Sequence, residues 1–538
     1  MTRMLRAASA ALVVLAALAL APPASANGPH GDRTVRVDCA AGKSINRALR
    51  HGDERKPLVV IVEGTCTENV VVERDDVTLQ GEPGATIVAA DASKPTLSLD
   101  GAHRVVVTGL TLSGGRDGIA ATRGSTLEVG VCVLQNNARF GLIVSYGGTA
   151  AVDNCVIQNN GGGGAVAANG AQLVVTNSTV RNNTGNGLAA VRNSHLRVGQ
   201  DTAGSLTPGP VTVQGNTQGG IVVSDASAGI VVATRVEANG GHGIVSQSSS
   251  SVSIGVGTLG LVAPVKILGN GNSGVSIYQA SRGLVQDSLV KNNTRDGVRI
   301  EGSAATVIGS QIRGNGRYGI ASLNSGSARI GLADSPTGTS GNTIENNVLE
   351  GVHLVGASSA WMFGNLIQGN GTTNARFGIL AVEGSAVRFV GLNTITGNGS
   401  IAGTVVGGGV FLRASGLYVM KGDFDITPNT NTISGNTGDG VQAIENSTVE
   451  LRDGMTVSGN TRNGVFLIHG GRMRSQGTTV SGNAANAIEL LFGSTVRFGP
   501  TPSTVNGTIA CDDAESSVAA PPATVLGTPA FGAGCTGF

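Results

Sequence analysis

The residues best equipped for chemistry gather in the middle of the chain, where the sequence offers Tyr278, Arg295, Asp296, Arg299, Glu301, Arg317, Tyr318, Glu350 and His353. Asp296, Arg299, Glu301 and His353 are the candidates for catalysis, because an acid, a base and cations within reach of one another are the ingredients of proton transfer. The same residues also describe a solvated face with incidental ion pairs. Asp117 and Asp439 each precede a glycine as Asp296 does, which fits a carboxylate tolerated in a recurring turn. A second set is more regular: Arg197, Arg329, Arg388, Arg474 and Arg497 recur at one place in the repeat described next. A row of guanidinium forks suits a ligand rich in carboxylates, and arginines dispersed over a surface are the alternative.

For side chains so distant in sequence to meet, the chain must repeat, and it does. Asn137, Asn160, Asn183, Asn216, Asn239, Asn270, Asn293, Asn315, Asn347, Asn370, Asn398, Asn436, Asn460 and Asn483 form one column. An apolar residue follows most of them at a fixed offset: Leu142, Ala165, Leu188, Ile221, Ile244, Val275, Val298, Ile320, Val352, Val441, Val465 and Ile488. The usual interval is about 23 residues, enough for three short strands and three turns whose equivalents stack about 4.8 Å apart. Alternation sends Val298 and Ile300 inward and Arg299 and Glu301 outward. The residue before each column asparagine is usually Asn or Gly, the types that accept a left-handed backbone, and stacked asparagines can hydrogen-bond as a ladder. The recurrent arginines stand nine residues after the strand-opening position, outward on the second strand of a coil. Longer coils add residues just after that strand, at 200–210, 256–264, 332–341 and 420–430, as walls for a groove. Trp361, the only tryptophan, is expected to point inward, leaving few rings for stacking on sugars.

The ends differ from the middle. Arg3 and Arg6, an apolar run from Ala7 to Ala21, and Ala24, Ser25, Ala26 read as an export leader covering 1–26, with the mature protein starting at Asn27. The chain is therefore expected to be secreted or periplasmic, with no membrane span after cleavage. The net charge of +1 becomes −1 without those two arginines, so nothing in the balance calls for nucleic acid. Six cysteines in an exported chain favour disulfides, and no close pair has zinc-ligand spacing, so neither a metal nor another cofactor is expected. Position pairs Cys39 with Cys66, Cys132 with Cys155 and Cys511 with Cys535; Cys132 and Cys155 read equally well as buried free thiols. Ser44 can cap a helix bearing Ile45, Ala48 and Leu49 on one face, followed by Leu58 to Glu63 as the first strand. The expected organisation is an N-terminal cap with the first coil at 27–68, repeats at 69–510 and a C-terminal cap at 511–538.

The stretches "SINRALR", "VVIVEGTCTENVVV" and "DVTLQGEPGATI", followed by coils of the "NNTRDGVRI" kind, resemble the pectin-lyase-like superfamily over nearly the whole mature chain. The resemblance implies an all-β fold, a single right-handed parallel β-helix, and leaves activity open among lyases, hydrolases, esterases, epimerases, tailspikes and non-enzymatic surface proteins. "TRDGV" is similar to the "NTDG" of polygalacturonases, but the next coil has Arg317, Tyr318 and Gly319 where an acidic pair belongs. The clustered acids of calcium-dependent lyases, the esterase "QDTL" motif and the epimerase Tyr-Gly and Asp-Pro-His signature are absent. The expectation is an extracellular β-helix interacting with acidic polysaccharide without assignable chemistry, against an enzyme on such a polymer or a structural, adhesive module.

Overall fold

The computed structural model describes residues 33–50, 56–201, 206–332, 341–373, 376–402, 405–419, 430–520, 524–532 and 534–535. The expected leader and the Asn27 start lie outside them. The chain winds as a right-handed parallel β-solenoid of about 20 turns, each about 23 residues. A central coil shows the rule: a first strand Val298–Glu301, a second Ala304–Ile308 and a third Gln311–Arg313. Val298, Ile300, Ala305, Val307 and Ile312 point inward and are buried. Among the described residues, second strands stack into one sheet of 20 members, from Arg33–Asp38 to Ser517–Ala519. First and third strands form two further parallel rows, joined near the C-terminus by Ser503–Cys511, which pairs with both Thr479–Ser481 and Ile488–Leu491.

The asparagine column is a continuous ladder from Asn137 to Asn483. In each link the backbone N–H and the side-chain Nδ2 of one asparagine donate to Oδ1 of the next; Asn293 donates to Asn315 at 3.1 and 3.0 Å and accepts from Asn270 at 3.0 Å. Nδ2 of Asn293 also donates to the carbonyl of Ile267, so the buried amide is satisfied on both sides. The preceding residue takes the left-handed conformation in Asn136, Asn159, Asn182 and Asn292, as expected. The glycine before most strand openers leaves room for the ladder: a Cβ on Gly297 would lie 2.9 Å from Nδ2 of Asn315 and 2.6 Å from the carbonyl of Gly319.

Two further ladders escaped sequence reading. Asn342, Asn365, Asn393 and Asn431 repeat the same bonding at the residue just before the third strand. At the turn between first and second strands a serine column runs from Ser194 through Ser227, Ser250 and Ser281 to Ser303, each hydroxyl accepting from the previous backbone N–H. Their signal, a small polar residue at a constant offset, was in the sequence.

The structure corrects two expectations, one at the N-terminal end and one among the cysteines. Arg33–Asp38 pairs in register with Leu58–Glu63, so it, and not the latter, is the first strand. Its outward residues are polar and its inward Val35 and Val37 complete the alternation. Helix α1 (Ile45–Arg50) follows, with Ser44 Oγ accepting from the N–H of Arg47 and Glu68 from the next coil accepting from the N–H of Ile45. Within the expected C-terminal cap, Ser517–Ala519 and Val525–Phe531 pair in parallel with the coil before them. Disulfides join Cys39 to Cys66 and Cys511 to Cys535. Cys132 and Cys155 are free and buried, not bonded: each thiol donates to backbone carbonyls inside the stack, and Sγ of Cys155 accepts the N–H of Cys132. They fill the position that Ser178 fills one coil later, where the ladder needs an acceptor on every rung.

Two outcomes are expected. Asn293→Ala orphans donors and acceptors in both neighbouring coils and should cost about 2 to 3 kcal/mol, whereas Asn483→Ala, whose ladder bonds reach only Asn460, should cost about 1; denaturant midpoints measure both, and equal losses would contradict the ladder's role. Alkylation of the denatured, unreduced protein followed by peptide mass mapping should label Cys132 and Cys155 alone.

Candidate functional site

One column of the solenoid carries its buried acids. Two residues before the strand opener stand Asp117, His242, Ser273, Asp296, Tyr318, Glu350 and Asp439 in their respective coils; the four acids are buried. Each acid pairs with an arginine from the turn of the next coil: Asp117 with Arg139 at 2.7 Å, Asp296 with Arg317 at 3.9 Å, Glu350 with Arg376 at 3.7 Å, and Asp439 with Arg462 at 3.8 Å. The clasp explains why an acid recurs before the glycine: a charge removed from water persists only with a partner, and the next coil supplies one.

At Glu350 the clasp gains a second member. The longer side chain brings Oε2 to 3.4 Å from Nδ1 of His353, three residues further along in the same coil, and neither carboxylate oxygen accepts a hydrogen bond. Tyr318, one coil earlier, stacks on the imidazole with ring centroids 3.9 Å apart and planes 14° from parallel. The Arg317 guanidinium lies over the Tyr318 ring and donates to its hydroxyl at 3.3 Å. Arg376 and Arg317 remain partly exposed, at 48% and 32% of their side-chain surface. An imidazole backed by a buried carboxylate, a phenol against it and two guanidinium groups thus share one strip of the first-strand face.

The other candidates on this face are tied to one another. Arg299 donates to Glu301 at 2.7 Å and approaches Asp296 at 3.5 Å. That guanidinium, with Asn324 beyond it, holds the Glu301 carboxyl below its ordinary range. Burial raises the Tyr278 phenol, with Glu301 adding to the effect. His242, Ser273 and Arg376 were missed by sequence reading. Burial, then Arg299 and Arg295, lower the pKa of His242, and Ser273 Oγ lies 3.4 Å from Asp296.

The arginine row lies where alternation put it, outward on the second-strand sheet. Arg329, Arg474 and Arg497 are exposed and Arg388 half-buried. Arg197 donates to the carbonyl of Asp201 at 2.7 Å, and Arg474 approaches Glu450 at 3.8 Å. Trp361 corrects an expectation: it is not inward but stands outward on this sheet, 42% exposed, with the Arg388 guanidinium 5.4 Å from its ring. The inward places beside it belong to Ala360 and Met362. Of the expected walls, 256–264 packs Leu261 and Ala263 on Val232 and is pinned by Gln200, whose Oε1 accepts the N–H of Thr258. The loops at 200–210, 332–341 and 420–430 lie partly or largely outside the described residues. Among the described residues no three His, Cys, Asp or Glu side chains are placed to hold a metal ion, and no helix is long and apolar enough to cross a membrane.

The family model of the right-handed beta helix region matches residues 60–203, 260–412 and 331–501. No curated protein matches the chain. Among solved structures the chain is similar to the A-module of mannuronan C-5 epimerase AlgE6 of Azotobacter vinelandii, at 16% identity over 70% of this chain and 92% of that one, with a TM-score of 0.36. It is similar also to the periplasmic alginate epimerase AlgG, at 12% identity, 72% and 83% coverage and a TM-score of 0.34. The Dettilon tailspike protein matches at 12% identity, 71% and 68% coverage and a TM-score of 0.34.

Asp439 offers a test of the buried clasp. Burial pushes its carboxyl above the ordinary 3.8, against the N–H of Asn463 and the Arg462 charge, which favour ionisation. A carboxyl raised in the folded state stabilises the fold fully only below the unfolded value, and that contribution is lost as pH rises through the folded one. The change in denaturant midpoint caused by Asp439→Asn should therefore be more favourable at pH 7 than at pH near 3.8; a more favourable change at acid pH would contradict the assignment.

Proposed function

The chain belongs to the family of right-handed β-helix proteins, and on that scaffold we propose that it binds an acidic polysaccharide and performs acid–base chemistry on it at His353. The observation that carries this reading is the buried Glu350 carboxylate facing Nδ1 of His353 at 3.4 Å. Of the four turn acids, only this one reaches an imidazole among the described residues. A carboxylate behind the ring favours the proton on Nδ1 and leaves Nε2 to accept one from a substrate. Tyr318 supplies a hydroxyl beside that ring, and Arg317 and Arg376 supply forks for a uronate carboxylate. Removal of a proton adjacent to that carboxylate suits this set better than hydrolysis between two carboxyls, because Asp296 and Glu350 are both closed off from solvent. Glu350 is a positioning residue here; His353 and Tyr318 are the groups that would touch substrate. The two disulfides support a location outside the cytoplasm.

Purified protein incubated with polygalacturonate, alginate and hyaluronan should produce unsaturated uronate ends or epimerised uronates within the chain, followed by ultraviolet absorbance and proton NMR respectively. His353→Ala and Tyr318→Phe should each lower kcat by roughly 100-fold or more with the thermal midpoint unchanged. Glu350→Gln should lower kcat less than His353→Ala. Binding without product from any acidic glycan would leave a non-catalytic module.

A further inference from the structure

The second-strand sheet carries a feature separate from the His353 centre. Parallel register aligns Thr306 with Arg329, Arg329 with Trp361, Trp361 with Arg388, and Arg388 with Tyr418. All are outward members of successive coils, about 4.8 Å apart. A cation, a ring, a cation and a ring therefore alternate along the solenoid axis.

We propose that this column is a binding strip for a single carboxylated polysaccharide chain lying parallel to the axis. Three independent observations carry it. The first is exposure: the chain's one tryptophan stands 42% exposed on a sheet face, with the Arg388 guanidinium 5.4 Å from its ring. The second is the seat of Tyr418. A Cβ on Gly416 would lie 2.4 Å from the Tyr418 ring, so the strand gives up a side chain there and the ring lies down on the sheet. Glycine inside a strand weakens it and marks places of close approach. The third is charge: among the described residues Arg329 and Arg388 form no ion pair, unlike the arginines of the turn column. The acid next along the column, Glu450, is engaged by Arg452 and Arg474. A groove of about 500 Å³ lined by Arg282, Leu284, Thr306, Arg329 and Trp361 continues the strip toward the N-terminus.

This arrangement matches a chain of uronate rings, which presents an apolar face and a planar carboxylate in turn. Aromatic rings stack on the one, and bidentate guanidinium forks take the other. Nucleic acid also stacks on aromatics, but a chain of net charge +1 lacks the broad basic field that backbone phosphates require. The strip does not depend on catalysis at His353.

Because Trp361 is the only tryptophan, intrinsic fluorescence of the full-length protein reads the strip directly. Titration with polygalacturonate at low salt should shift and change that emission, and the apparent affinity should fall as sodium chloride rises. The Arg329→Ala/Arg388→Ala variant should bind at least roughly tenfold more weakly while keeping its circular dichroism and thermal midpoint, as should Tyr418→Ala followed by the same emission. His353→Ala should bind on the strip as the parent does, which separates failure of the strip from failure of the acid–base centre. The proposal is overturned by an unchanged emission at low salt, by an equal response to neutral dextran, by unchanged affinity in the double-arginine variant, or by a single-stranded oligonucleotide or dextran sulfate binding where polygalacturonate does not.

Discussion

The buried amide of the asparagine ladder is the constraint on which the rest of this molecule depends. An asparagine in the turn before the first strand must place Nδ2 and its own N–H on Oδ1 of the next coil's asparagine, or leave its buried N–H and that oxygen without these partners. Only one register satisfies that demand. A slip of one residue would turn every strand inside out, so the ladder specifies which side chains face water as firmly as it holds the coils together. The glycine before most openers follows from the same demand, because a methyl group at Gly297 would collide with Nδ2 of Asn315.

Fixed register converts sequence offsets into columns in space, and chemistry is then a matter of what each column holds. The turn column holds acids clasped by arginines of the following coil, a structural device repeated at Asp117, Asp296, Glu350 and Asp439. At one coil the extra methylene of Glu350 and the histidine at the next outward place convert that device into a carboxylate–imidazole pair under a tyrosine. The second-strand sheet holds an unrelated column in which cations and rings alternate. Both surfaces arise from a scaffold whose interior is aliphatic and nearly without rings, which is why aromatic residues, only 3% of the chain, are conspicuous where they are exposed.

Periodicity made the column positions legible: the ladder asparagines, the left-handed residues before them and the outward arginines all lie where counting put them. Trp361 is the position where two rules of side-chain placement disagree. It stands nine residues after Val352, the same offset as Arg329 from Ile320, and alternation alone puts it outward; the general preference of tryptophan for burial pointed the other way. The grouping of Glu350, His353 and Tyr318 was visible as a list of residues, but burial and pairing were not, because they depend on how the following coil's Arg376 returns after an insertion. Cys132 and Cys155 occupy adjacent rungs as counted, yet a rung needs an acceptor for the neighbouring N–H, and free thiols meet that need. The terminal strands Arg33–Asp38 and Val525–Phe531 lack the Asn–Gly turn that marks a coil and so went unread.

That register writes function into columns is tested most directly by the structure of the protein with a uronate oligosaccharide of about six sugars, long enough to cross several coils at about 4.8 Å each. The account predicts a chain running parallel to the solenoid axis on the second-strand sheet, with sugar faces on Trp361 and Tyr418 and carboxylates on Arg329 and Arg388. An oligosaccharide lying across the axis, or held by residues from unrelated columns, would contradict it.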